Sequence, residues 1–104
     1  MILYEVNLEV DKDIANEYQT WLKEHVGHML QLDGFESAQI FSRDPKDEGL
    51  EISDKVLLTV HYHLKERASL ENYFKNHAEK MRAEGLQKFP GKFKATRRIL
   101  LPNQ

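Results

Sequence analysis

Side chains able to handle protons or hydrogen-bond a small molecule recur at spacings that bring them together. Tyr4 and Tyr62 lie on segments of alternating apolar and polar residues, while Tyr18, His25, Tyr73 and His77 fall at helical spacing on two apolar stripes. By parity or helical phase, all four tyrosines and both histidines face the layer between a sheet and its helices. Polar tips therefore converge on an apolar space, which is the usual form of a small-molecule site. Imidazole titrates near neutrality, so His25 and His77 are the candidate general acid or base beside a tyrosine hydroxyl. Tyr4, Tyr18, Trp21, Tyr62 and Tyr73 are the candidate ligand-binding residues, Trp21 fitting a core role even better. Arg97 would join them for an anionic ligand if it turns inward. Against this stands a plain alternative, in which each ring bonds a backbone carbonyl or surfaces at the core rim.

His61 and His63 form an H-x-H pair on a strand, which puts both rings on one face at a spacing that metal sites use. Two ligands do not make a site, and although Glu5, Asn7 or Glu9 can add a third, no outer partner can be named. Hydrogen bonding across a dimer seam accounts for the pair better, and no metal or cofactor is expected. His25 and His28 are a weaker chelate still, because His28 turns toward the polar side of its helix.

These residues need elements to position them, and the order of elements reads strand, helix, strand, strand, helix, strand. Ile2, Tyr4, Val6, Leu8 and Val10 alternate with Leu3, Glu5, Asn7 and Glu9 as a first strand. Asp11 or Asp13 is the expected cap of a helix whose apolar positions run from Ile14 through Tyr18, Trp21, Leu22, Val26, Met29 and Leu32 to a stop at Asp33 and Gly34. A second strand spans Phe35 to Arg43, and residues 44–53, with Pro45 and Gly49, form a solvated hairpin connection. Val56, Leu58, Val60, Tyr62 and Leu64 alternate as the third strand. One amphipathic helix follows through Leu70, Tyr73, Phe74, His77, Ala78 and Met81, with Gly85 as its expected end. Pro90 and Gly91 break the chain before a last strand from about Phe93 to Leu100. The pattern predicts an α+β fold, a four-stranded antiparallel sheet with both helices on one face.

The chain's 104 residues suit one domain, 1–104, with no linker to divide it. Its 15 Lys and Arg against 17 Asp and Glu leave a formal charge of -2, too little to gather nucleic acid or an anionic membrane. With no cysteine there is no disulfide framework and no thiolate chemistry. The first strand starts behind Met1, leaving no room for a secretory leader, and no apolar run reaches membrane-spanning length. A cytoplasmic protein is expected.

Trp21, His25 and Met29 followed by Gly34 resemble the helix-one signature of a family of small uncharacterised bacterial proteins in the dimeric α/β-barrel superfamily. The tail is similar too, through Arg82-Ala83-Glu84-Gly85-Leu86, Phe89, Phe93 and Arg97-Arg98-Ile99-Leu100. Gly27 departs from that pattern, standing where a proline is expected after the helix-one histidine. The resemblance implies a ferredoxin-like protomer that pairs sheet to sheet with a second copy, and it implies no substrate. The sequence supports such a homodimer independently. The face away from the helices carries Leu3, Leu57 and, depending on register, Phe41 among polar residues, and a two-fold interface would bury them.

Two kinds of enzyme share the topology implied by this resemblance. Haem-degrading monooxygenases use a histidine on helix two with a nearby tryptophan and a strand-one asparagine. His77 matches the ligand, but Tyr73 occupies the tryptophan's neighbourhood, Trp21 is on helix one, and Asn7 points away from the helices. Cofactor-independent monooxygenases of the antibiotic-biosynthesis type would use the same cavity. RNA-recognition modules share the element order as well, yet Glu5 and Glu9 on the open face would repel phosphate, so no nucleic-acid partner is expected. The basic group Lys88, Lys92, Lys94, Arg97 and Arg98 reads as a solvated rim. Two classes remain open: a dimeric module that binds a small organic molecule, and a monooxygenase- or isomerase-like enzyme using a helix histidine.

Overall fold

A computed structural model of the chain describes residues 1–51 and 54–103. Period-two alternation produces four strands, β1 (Ile2–Asp11), β2 (Phe35–Arg43), β3 (Lys55–Leu64) and β4 (Phe93–Leu100). They pair antiparallel in the order β2-β3-β1-β4. The helices are α1 (Ala15–Met29), α2 (Arg67–Asn76) and α3 (Ala78–Lys88). Sheet and helices form a slab measuring 38 × 35 × 18 Å, and the core lies between its two layers. The sheet contributes Tyr4, Leu8, Val10, Leu58, Val60, Tyr62 and Leu64 to it. Tyr18, Leu22, Val26 and Met29 come from α1, Leu70 and Tyr73 from α2, Ala78 and Met81 from α3. Four-residue steps along α1 keep one stripe against the sheet.

Register decides which side chains share a face. Glu5 lies opposite His61 on β3 and Arg98 on β4, and Asn7 opposite Thr59 and Thr96. Tyr4 lies opposite Tyr62 and Ile99, and Val6 opposite Val60 and Arg97. The even residues of β1 and β3 therefore face the helices together with the odd residues of β4, Arg97 among them. A register irregularity between Phe35 and Ser37 returns Phe35 to the core side, where it is buried.

Several helix boundaries differ from expectation. The start of α1 has no side-chain cap: Asp11 precedes a short 3-10 turn, Lys12–Ile14, and its carboxylate bonds Lys55 instead. α1 runs through Gly27 and ends at Met29, short of Gly34. That glycine adopts φ +85°, and a Cβ there would lie 2.2 Å from the Ser69 side chain, so it serves a tight crossing under α2. The single second helix is two helices. His77 leaves helical geometry at φ -131° and ψ -29°, while its N–H still bonds the Tyr73 carbonyl and its own carbonyl accepts from Met81. Gly85 is no terminus, for α3 continues three residues beyond it. An added Cβ would stand 2.9 Å from Cη2 of Trp21, so the glycine is where α3 lets the indole approach. In the hairpin connection a 3-10 turn, Pro45–Glu48, is capped by the Asp44 carboxylate, which accepts from the Lys46 N–H at 2.9 Å. Ile52 and Ser53, in the same connection, lie outside the described residues.

Candidate functional site

A cavity of about 50 Å³ lies between the sheet and the helices α1 and α3. Tyr4, Tyr18, Tyr62 and Tyr73 all reach its wall, as do Trp21, His25 and Arg97. Seven of the eight residues expected from sequence are thus brought together; His77 is not, because it sits half-buried at the break between α2 and α3 and does not reach the wall. Its candidacy as proton-handling group or haem ligand loses its geometric basis.

The rings pack in two groups. Tyr4 stacks on Tyr62 at 5.9 Å between centroids and tilts against Tyr73 at 5.7 Å. Tyr18 meets Trp21 at 5.4 Å and Phe93 at 5.1 Å. Burial holds the phenols of Tyr18, Tyr62 and Tyr73 neutral. The Tyr73 hydroxyl is pushed up to about 12 by desolvation, with Tyr4 adding to the rise and Arg82 and Arg97 opposing it. Tyr18 and Tyr62 are raised further for the same reason, each with an opposing influence from Arg97. The Arg97 charge is thus felt inside the cavity although β4 is an edge strand.

His25 stacks on the Trp21 indole at 4.7 Å, and its Nδ1 lies 3.4 Å from Oε2 of Glu84 on α3. Burial lowers the imidazole pKa, and Glu84 restores part of the loss through its hydrogen bond and its charge. A neutral, carboxylate-backed imidazole on a cavity wall has the form of a proton acceptor.

Arg82 and Glu84 were not singled out as site residues from sequence. Arg82 lines the cavity from α3 and donates from Nη2 to the Tyr4 hydroxyl at 3.2 Å. The buried positions Ala78, Met81 and Gly85 recur at helical spacing, and Arg82 shares their stripe at i+4 from Ala78. That periodicity was the signal available for it.

On the open face of the sheet, Glu5 is only 4% exposed. Its carboxylate accepts from Arg98 Nε at 2.5 Å and from Asn7 at 2.8 Å, and lies 2.9 Å from His61 Nε2. Arg98 above all, aided by Asn7 and His61 against an opposing desolvation, holds Glu5 down at about 2. Asn7 also accepts from the Thr59 hydroxyl at 2.7 Å. His61 is thus engaged by a carboxylate within its own chain. His63 shares the face, and among the described residues no group of three or more His, Cys, Asp or Glu is placed to hold a metal. Leu57 is already buried in the single chain, while Phe41, 41% exposed, and Leu50, 53% exposed and lining a recess with Leu57, Asn7 and Thr96, are apolar groups left open on this face. Among the described residues no helix is long and apolar enough to cross a membrane.

The profile of a domain of unknown function, DUF4286, matches residues 1–102. Among solved structures the chain is similar to SnoaB, a cofactor-independent oxygenase from Streptomyces nogalater. That likeness has 9% identity over 99% of this chain and 94% of that one, with a TM-score of 0.64. It is similar to an ethyl tert-butyl ether d (ethd) family protein from Bacillus halodurans at 18% identity, 99% and 100% coverage and a TM-score of 0.63. A conserved protein from Methanosarcina mazei aligns at 17% identity over 96% and 91%, with a TM-score of 0.64. A search of curated proteins finds no match. Such identities carry the fold and nothing of the chemistry. The length of the profile match settles the family and the sheet order the fold: the chain belongs to the family described as a domain of unknown function (DUF4286) and has a ferredoxin-like fold.

Proposed function

We propose that this protein is a homodimer, paired through the open face of its sheets, that holds a small organic molecule between sheet and helices. The observation that carries this reading is the cavity, where tyrosine, histidine and arginine tips meet in a space that apolar packing would otherwise close. Its size sets the scale of the guest. A water needs roughly 10–15 Å³ of such space and drug-sized ligands roughly 300 Å³ or more, so about 50 Å³ suits a guest of a few heavy atoms or one end of a larger molecule. Support for the dimer comes from exposed Phe41 on the open face and from the sequence's resemblance to proteins that pair sheet to sheet. An enzymatic role, cofactor-independent and monooxygenase- or isomerase-like, is the second reading; the Glu84–His25 contact favours it.

Gentle native mass spectrometry of the purified protein tests the proposal, with a dimer carrying a small retained mass as the expected result. A protomer that stays single and empty, and whose thermal midpoint no small organic compound raises, would overturn it. Turnover separates the two readings: an enzyme shows it and loses it in His25→Ala while the variant still folds, whereas a pure binding module turns over no compound in either form.

A further inference from the structure

Arg82 carries an unmet demand. Its Nε is buried and has no hydrogen-bond partner, alone in that respect among the buried side-chain nitrogens and oxygens of the described residues. Nη2 bonds the Tyr4 hydroxyl, and the guanidinium lies 5.9 Å from the Phe74 ring centroid. The guanidinium's five N–H donors point outward in its plane, and a ring offers none of them an oxygen or nitrogen acceptor. Phe74 therefore leaves the Nε–H unsatisfied. Arg82 as a whole is half-buried, but a buried donor without an acceptor is costly, so Nε calls for a partner that the chain does not supply.

The surroundings state the sign of that ligand. Arg97 reaches the same cavity from β4, and no Asp or Glu contributes to the wall. Among the described residues neither Arg82 nor Arg97 forms an ion pair, although Arg43, Lys92 and Arg98 all do. Half-buried Arg82 and solvent-exposed Arg97 thus border a small aromatic space with no carboxylate on its wall, which favours an anionic guest. The shape follows from the donors: the Nε–H and a neighbouring Nη–H of a guanidinium form a flat fork that matches the two oxygens of a carboxylate.

We propose that the cavity recognises a small organic carboxylate, one oxygen accepting from the Arg82 Nε–H and the other from the second N–H of Nη2, beside its bond to Tyr4, with Arg97 as the second cation. The carboxylate's remaining carbons lie against Trp21, Tyr18 and Phe93. This rests on the reading of the cavity as a small-molecule site and gives that site its ligand class.

Trp21 is the chain's one tryptophan and lines the cavity, so its emission reports occupancy directly. Propionate, its neutral counterpart propionamide, and inorganic phosphate would each be titrated into the 104-residue chain at constant ionic strength. Thermal midpoint shifts provide a second readout. The expected result is saturable propionate binding at least about tenfold tighter than propionamide, as charged hydrogen bonds give, with phosphate weaker than propionate. Arg82→Gln and Arg97→Gln should each weaken propionate by a larger factor than propionamide, which loses no charge pairing. Arg97 lies on an exposed edge strand, so that variant keeps the test alive if Arg82→Gln does not fold. Equal affinity for acid and amide, tighter binding of phosphate, or indifference to both variants would overturn the carboxylate while leaving a small-molecule site standing. Failure of every compound to saturate would remove both.

Discussion

Glu5 shows at the scale of one residue how an open sheet face accommodates a carboxylate that is almost completely shielded. It needs no second subunit to be neutralised, because Arg98 and His61 flank it from the neighbouring strands in the same register row. Its folded pKa of about 2 lies below the ordinary 4.5, so the folded chain binds the Glu5 proton less tightly than the unfolded one. The stabilisation it provides is complete above pH 4.5 and declines as pH falls through about 2. Glu5→Gln should therefore lower stability at neutral pH by about 1–3 kcal/mol and flatten the loss of stability across the acid window. Urea unfolding from pH 7 to pH 2 would measure both effects, and an unchanged acid slope would refute the account. His25 behaves in the same direction in a different window. Its pKa lies below 6.5 through burial, so its contribution is complete above pH 6.5 and falls as the solution is acidified. His25→Gln should remove that dependence while leaving the far-UV spectrum unchanged.

At the scale of elements, two glycines set how closely helices approach their neighbours. Gly85 allows the Trp21 indole to lie against α3, which places Trp21, His25 and Arg82 around one cavity. Gly85→Ala puts a methyl group 2.9 Å from the indole edge, and the indole must move. The variant should lose about 1–3 kcal/mol, as overpacked cores do, and shift the Trp21 emission maximum; thermal melting and fluorescence check the two together. Gly34 has the more severe constraint, since positive φ and the Ser69 side chain both exclude a Cβ. Gly34→Ala should destabilise more than Gly85→Ala, and the opposite ranking would show that the loop before β2 adjusts freely. The break at His77 is the other consequential element. By interrupting one long helix it gives α3 its own direction, so that Met81, Arg82 and Gly85 reach the cavity while His77 does not.

Across the whole molecule, helices cover one side of the sheet and leave the other open. The open side is mixed in character: Leu57 is already covered, Glu5 and Thr59 are buried in a polar network, and Phe41 stands exposed beside His61 with ring centroids 5.2 Å apart. A two-fold partner would bury Phe41 and exclude water from the Glu5 network, which strengthens that network electrostatically. On the proposed dimer, Phe41→Asp should shift the assembly to a monomer with little change in protomer fold, measured by light scattering across a dilution series and by circular dichroism. A native protein that scatters as a monomer at every concentration would remove the dimer from the proposal.

Alternation, helical phase and turn residues are local properties, and they were sufficient to determine the four strands, the first helix, the α+β class and the inward direction of all four tyrosines. The histidine assignments show where local information stops. His25 and His77 both sit on apolar stripes, yet only His25 lines the cavity, because the chain leaves helical geometry at His77 with no proline or glycine there to announce it. Helix ends failed likewise: Gly85 is indistinguishable in sequence from a terminator until the Trp21 indole is seen against it. Arg82 has helical phase in its favour but is a charged residue, and only packing against Tyr4 and Phe74 shows that one of its donors is buried without an acceptor. Sequence determined which faces are apolar, because burial follows a residue's own periodicity. Tertiary structure decided which polar tips meet in one cavity, because that depends on distances between segments far apart in the chain.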